Sequence, residues 1–226
     1  MKAQFTALLF FFISSFIAGQ NFTGSFELIA SQENVSENSR RDTISYFFGK
    51  EKQAIIIHAQ RNQPNLRLVF STQDSTITGL FEMKGKKGGY ILPMNEKYWP
   101  AMHLALQPYS VGPKSTTNYT GRQKEIENFN CREVLAESDD YNAVLWMAEE
   151  IPLTMTSVLS FQSVGAGESI EEVEQYNQFE VEGLPLEMLL KSKKGKGNVL
   201  VRLVNFNETV DPVIFSTKGH SLSKVD

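Results

Sequence analysis

The chain has 226 residues, a formal net charge of −4 and a single cysteine. The acidic balance argues against nucleic acid and against strong attraction to anionic lipid surfaces. One cysteine excludes an internal disulfide framework, so stability has to come from burial.

Residues 1–20 read as a secretory signal that is cleaved. Lys2 supplies the positive start, Phe5 to Ile17 an apolar run, and Ala18-Gly19 the small residues a signal peptidase needs. The run falls short of the roughly 20 residues of a membrane span, and polar Gln20-Asn21 follows at once. No cysteine stands at the cleavage point, so lipid attachment there is not expected. An exported, periplasmic or secreted protein of about 206 residues results, read as one domain over 21–219 with a flexible tail at 220–226. Removing Lys2 moves the formal charge to about −5.

Phe22, Gly24, Phe26 and Leu28 alternate with polar or small neighbours, the period of two of a half-buried strand. After the polar stretch 32–41 come short apolar runs at Thr43–Phe48, Gln53–Ala59, Leu66–Phe70, Thr76–Met83 and Tyr90–Met94. Gly49-Lys50-Glu51, Asn62 to Asn65, Gln73-Asp74-Ser75 and Gly85 to Gly89 separate them with turn chemistry, which predicts an antiparallel meander. Pro100 near the start of Tyr98–Leu106 suggests a short helix. Further strands are expected over Lys114–Thr120, Cys131–Glu137 and Ala143–Ala148, the last two joined by the 138–142 loop.

Met155, Val158, Leu159 and Gln162 share helical spacing, predicting a helix over Thr154–Val164 that ends at Gly165 and Gly167. Ser169-Ile170-Glu171-Glu172 fits a capping box that starts a helix from Ile170 to about Gln178. Leu184–Lys191 and Asn198–Phe206 complete the strands around the Lys-Gly tip 192–197.

Polar signatures of chemistry are sparse. His58, His103 and His220 lie far apart with no metal-ligand spacing, so no metal or cofactor is expected. Ser169 in Gly165-Ala166-Gly167-Glu168-Ser169 is off-centre for a nucleophile elbow and serves better as a helix cap. Asp139-Asp140 and Glu149-Glu150 read as solvated carboxylates. Gly85 to Gly89 and Lys193 to Gly197 lack the helix and the Ser/Thr ending of a phosphate loop and read as hairpin tips. Cys131 reads as a small buried side chain. Asp42-Thr43-Ile44 and Asp74-Ser75-Thr76 look like O-glycosylation acceptor tripeptides.

The apolar supply is more suggestive. Met83, Met94, Trp99, Met102, Trp146, Met155, Leu159 and Met188 are the candidate walls for an apolar ligand, since methionine and tryptophan give adaptable, polarizable surface. Core packing is the competing use of the same residues. Trp146 is expected with its ring on the core or cavity face and its neighbours Leu145 and Met147 pointing the other way.

The stretch Thr120-Gly121-Arg122-Gln123-Lys124 through Asn130-Cys131-Arg132-Glu133-Val134 resembles an exported Gram-negative family. The resemblance continues through Ala143-Val144-Leu145-Trp146-Met147 to Ile151-Pro152-Leu153 and then to Gly183-Leu184-Pro185-Leu186-Glu187. The family is domain-of-unknown-function family 4412, with Phe129 and Ala148 departing from its commoner Tyr and Thr. The resemblance implies a mainly β fold similar to the periplasmic lipoprotein carriers, an antiparallel sheet curled into an open half-barrel with short helices over its concave face. It implies no activity but favours an apolar ligand. With the leader, the methionine and tryptophan supply and the sparse polar signatures, the expectation is a monomeric, non-enzymatic binder or carrier of lipids or other apolar ligands. The alternative is a non-catalytic envelope structural or interaction protein with a filled core.

Overall fold

The computed structural model describes residues 22–33, 41–59, 63–107, 109, 118–165 and 170–225. The expected signal at 1–20, the capping serine Ser169 and the start of the strand expected at Lys114 lie outside them.

Among the described residues, twelve strands form one sheet. In chain order they are β1 (Gly24–Glu33), β2 (Arg41–Phe48), β3 (Lys52–Ile57), β4 (Leu66–Ser71), β5 (Thr76–Met83), β6 (Lys86–Pro93), β7 (Asn118–Ile126), β8 (Phe129–Glu137), β9 (Tyr141–Ala148), β10 (Leu184–Ser192), β11 (Asn198–Asn207) and β12 (Ser221–Lys224). Across the sheet they run β12-β6-β5-β4-β3-β2-β1-β11-β10-β9-β8-β7. Every pairing is antiparallel except β12 with β6. The two end strands, β12 and β7, do not pair with each other. The sheet is therefore an open half-barrel, as the resemblance implied.

Alternation assigns its two faces. Phe26, Tyr46, Ile55 and Leu68 are register partners on the inner face, and all are buried. The next inner row, Leu28, Ile44, Ile57 and Leu66, continues the apolar surface. Across β8 to β11 the inner face carries Val134, Leu145, Met188 and Val201. Gly79 is required here: a Cβ on it would lie 2.3 Å from the ring of Tyr90, its register partner on β6.

Among the described residues, three short helices cover this face: α1 (Met102–Ala105), α2 (Met155–Ser160), which runs on as a 3₁₀ turn over Phe161–Ser163, and α3 (Glu171–Asn177). Thr154 caps α2 by accepting from the Ser157 backbone N–H at 3.0 Å. That satisfies one of the donors a helix start leaves free. Trp99 is completely buried, its ring 4.6 Å from Phe70 and 5.3 Å from Phe161, and its Nε1–H donates to the Ser160 carbonyl at 2.8 Å. The Gln162 amide donates to the buried Tyr46 hydroxyl at 2.7 Å, tying the 3₁₀ turn to β2.

Four expectations are corrected. Of the tail expected to be flexible at 220–226, Ser221–Lys224 adds instead to the edge of β6, and the Val225 N–H bonds the Ile91 carbonyl at 3.0 Å. A free sheet edge offers unpaired backbone groups that a returning segment can use. The second correction is β7, which continues to Ile126 and turns at Glu127-Asn128, both at positive φ, because an exposed edge strand needs no apolar alternation. Gly85–Gly89 is only in part a tip: Lys84-Gly85 make the turn, while Lys86 to Gly89 belong to β6.

Trp146 is the fourth. Ala143, Leu145 and Met147 point into the core, so alternation sends Trp146 to the outer face, where Lys124 Nζ sits 4.2 Å from its ring centre. Eight consecutive residues of β9 are mostly apolar, and their phase is set by what packs on each side.

Truncating the two tryptophans should separate their positions. Trp99→Ala is expected to cost about 3–5 kcal/mol, as for other fully buried aromatic residues. Trp146→Ala, half-buried beneath a cation, should cost about 1 kcal/mol. Urea melts of the two variants check both values.

Candidate functional site

The candidate ligand-wall residues do not converge on one cavity. Trp99 and Met155 are fully buried and Leu159 and Met188 nearly so, all within the main core cluster. Met94 and Met102 are half-buried against that cluster. Trp146, half-buried on the outer face under Lys124, packs against its margin, and only Met83 of the eight, 51% exposed at the tip of the β5–β6 hairpin, stands apart from it. A methionine at a hairpin tip reaches no core, whatever its side chain favours.

The concave face differs between its ends. At one end Phe48, Phe70, Ile77 and Leu92 lie under Trp99 and Phe161, and the Phe70–Phe161 rings meet edge-on at 4.9 Å. This end is filled by the chain's own aromatic rings. At the other, the inner-face residues Ala30, Ile57, Leu66 and Val199 are only half-buried. An apolar rim results, built from the end of β1, the end of β3, the start of β4 and the start of β11.

A separate cluster forms on the outer face from residues of β7, β8, β9, β10 and β11. Thr120 Oγ1 donates to Glu133 Oε2 at 2.7 Å, and Arg122 Nε donates to the same oxygen at 2.6 Å while its Nη2 pairs with Oε1. Lys124 Nζ donates to Glu187 Oε1 at 2.7 Å, and Arg202 Nε donates to Glu187 Oε2 at 3.1 Å. Trp146 is the register partner of Glu133 on one side and of Glu187 on the other. Sequence reading singled out Trp146 as a ligand wall, quoted Thr120, Arg122, Lys124, Glu133 and Glu187 without a role and did not pick out Arg202, because ion pairs between strands depend on register.

Burial raises the Glu133 carboxyl, but hydrogen bonds from Thr120 and Arg122 and the charges of Arg122 and Lys124 outweigh it and hold it below the ordinary carboxylate value. Glu187 behaves alike: burial raises it, and Lys124 and Arg202 bring it down.

On the edge side of β8, Glu149 Oε1 accepts from the Tyr119 hydroxyl at 2.8 Å and from Arg132 Nη1 at 2.9 Å, with the Arg132 guanidinium 3.9 Å from the Tyr119 ring centre. Gln123, Asn130, Cys131, Arg132, Glu149 and Glu150 line an open pocket of about 220 Å³ there. That is below the roughly 300 Å³ at which ligand pockets begin. Burial pushes the Cys131 thiol up to about 11, so it is a neutral thiol and not a nucleophile near neutral pH.

The histidines stay apart. His58 Nε2 bonds Ser45 Oγ at 2.8 Å on the outer side of β2, His103 is exposed on α1, and His220 precedes β12. Among the described residues no group of three or more His, Cys, Asp or Glu side chains is placed to hold a metal ion. Ser75 of the second acceptor tripeptide lies in an exposed turn, whereas Thr43 of the first lies within β2.

No family model and no curated protein matches the chain, so the expected membership of family 4412 has no support from them. Among solved structures, PNGF-II is similar with a TM-score of 0.42 at 11% identity, over 91% of this chain and 32% of that one. The Pseudomonas aeruginosa MucA/MucB complex gives 0.45 at 9% identity, over 91% of this chain and 59% of that one. A LolA superfamily protein from Nitrosomonas europaea gives 0.33 at 9% identity, over 87% and 90% of the two chains. This chain thus spans less than two thirds of the first two.

Acid should unfold the protein partly through the outer-face carboxylates. Both have folded values below their ordinary 4.5, so the stability they add is present above about pH 4.5 and is lost as pH falls through the folded values. Glu133→Gln should flatten the pH dependence of the urea midpoint in that acid range while changing little of its slope between pH 6 and 8.

Proposed function

We propose that the mature chain is an exported, non-catalytic binding protein that accepts an apolar, acyl-type chain at the rim formed by Ala30, Ile57, Leu66 and Val199. The observation that carries this reading is the contrast between the two ends of the concave face. One end is plugged by Trp99, Phe161 and Phe70, whereas the other presents half-buried aliphatic side chains continuous with the buried row Leu28 and Ile44. Aliphatic surface at the mouth of a curled sheet gains free energy when covered, at about 25 cal/mol per Å² removed from water. A chain entering there would lie along the sheet and stop at the aromatic plug. The signal-like leader and the carrier-like resemblance support an envelope location, periplasmic or secreted, and the reading takes the protein as a monomer without a cofactor.

A second reading has its own observation. The aromatic packing under α2 and the full burial of Met155 are those of a finished core. An envelope structural or interaction protein would need nothing in its interior.

Native mass spectrometry and lipid extraction of gently purified protein, beside a delipidated control, separate the two. Bound or exchangeable acyl lipid, reduced about tenfold by Ile57→Asp combined with Leu66→Asp in a variant with an unchanged thermal transition, supports the binder. Protein that neither carries nor takes up lipid supports the filled-core reading.

A further inference from the structure

The outer face of the sheet is treated differently in its two halves. Over β3 to β5, Ala54, Val69 and Leu80 are buried beneath Ile214, Phe215 and Leu222 of the segment after β11. The 3₁₀ turn Pro212–Phe215 starts from Asp211, which accepts from the Val213 N–H at 2.9 Å, and the chain then runs on to β12. The chain supplies its own cover there.

Over β8 to β11 the same face carries an apolar row that this cover does not reach. Leu135, Val144, Leu189 and Leu200 are consecutive register partners across four strands. Leu135 is 45% exposed and the other three are half-buried. Beside them runs the charged row. Its carboxylates lie low, with the Glu133 side chain 1% exposed and that of Glu187 23%, while Arg122 at 68%, Arg202 at 54% and Lys124 at 35% stand above them. Three cations over two carboxylates make this strip locally positive on a chain whose net charge is −4.

We infer that this strip is a docking surface for an acidic, amphipathic helical segment of another envelope protein. Four strands about 4.8 Å apart give an apolar row roughly 14 Å long, which about ten residues of α-helix span at 1.5 Å each. A helix lying across the strands places its apolar face on Leu135, Val144, Leu189 and Leu200. Carboxylates along one flank then meet Arg122, Lys124 and Arg202, whose guanidinium groups suit paired carboxylate contacts. The low-lying Glu133 and Glu187 count against an anionic bilayer as the occupant. They also oppose a second copy turned about Trp146, because the sequence of charges across the strands, positive, negative, Trp146, negative, positive, would meet its own signs. This surface is distinct from the rim on the concave face, so it stands whether or not the rim takes an acyl chain.

Site-specific photo-cross-linking with the full chain in its native cells tests the inference. Leu135→p-benzoylphenylalanine is the probe, and Val213→p-benzoylphenylalanine, 69% exposed on the 3₁₀ turn, is the control. The expected result is an adduct at position 135 alone, mapped by mass spectrometry to a partner segment with helical apolar spacing and several carboxylates. Arg122→Glu with Arg202→Glu should lower its yield about tenfold, as for close interfacial charge pairs. Should that pair of changes unfold the protein, raising the salt concentration in isolated envelopes must weaken the adduct of the otherwise unaltered chain. No adduct, adducts only to lipid or to a second copy, a partner segment without carboxylates, or a yield indifferent to charge reversal and salt would each overturn the inference.

Discussion

A sheet of twelve strands that does not close presents a wide inner face, and that face can persist only under a cover. Here the cover is three helices of four to seven residues, too short to be stable by themselves in water. Their stability is borrowed from the sheet. Trp99 carries most of that dependence: its ring packs on Phe70 of β4 and Phe161 after α2, and its indole N–H satisfies the Ser160 carbonyl. Helix start, 3₁₀ turn and sheet are thereby one packed unit.

The same packing divides the concave face into a plugged end and an aliphatic rim. Aromatic rings fill the space between Phe48, Phe70 and α2, whereas Ala30, Ile57, Leu66 and Val199 meet less of the cover. On the outer face the division is made by the C-terminal segment, which seals β3 to β5 and leaves β8 to β11 to an ion-pair ladder and a row of aliphatic side chains. The edge strand β7 takes part in that ladder through Thr120, Arg122 and Lys124. Charged side chains there also discourage strand addition at an open edge.

Much of the meander was legible because turn chemistry and alternation agree. β2, β4, β5, β8, β9, β10 and β11 lie where their apolar runs place them, and Met155, Val158 and Leu159 face the core as their spacing requires. β7 was half-legible: on an exposed edge, Gly121 to Glu125 has no apolar partner to impose a period. β12 was not legible at all, since Ser221–Lys224 is polar and pairs through its backbone with an edge that exists only after β6 has folded.

The candidate ligand residues show the limit most plainly. Residue type identified Trp99, Met155 and Trp146 as large apolar side chains, but which face each occupies follows from strand phase and from what lies opposite. In β9, where nearly every residue is apolar, Trp146 went outward under Lys124 because Leu145 and Met147 pack more completely beneath the helices. Composition and the period of two determined a mainly β chain with few polar signatures of chemistry. Register decided the rest, because only hydrogen-bonded strands bring Glu133, Trp146, Glu187 and Arg202 into one row from positions spread over seventy residues of chain.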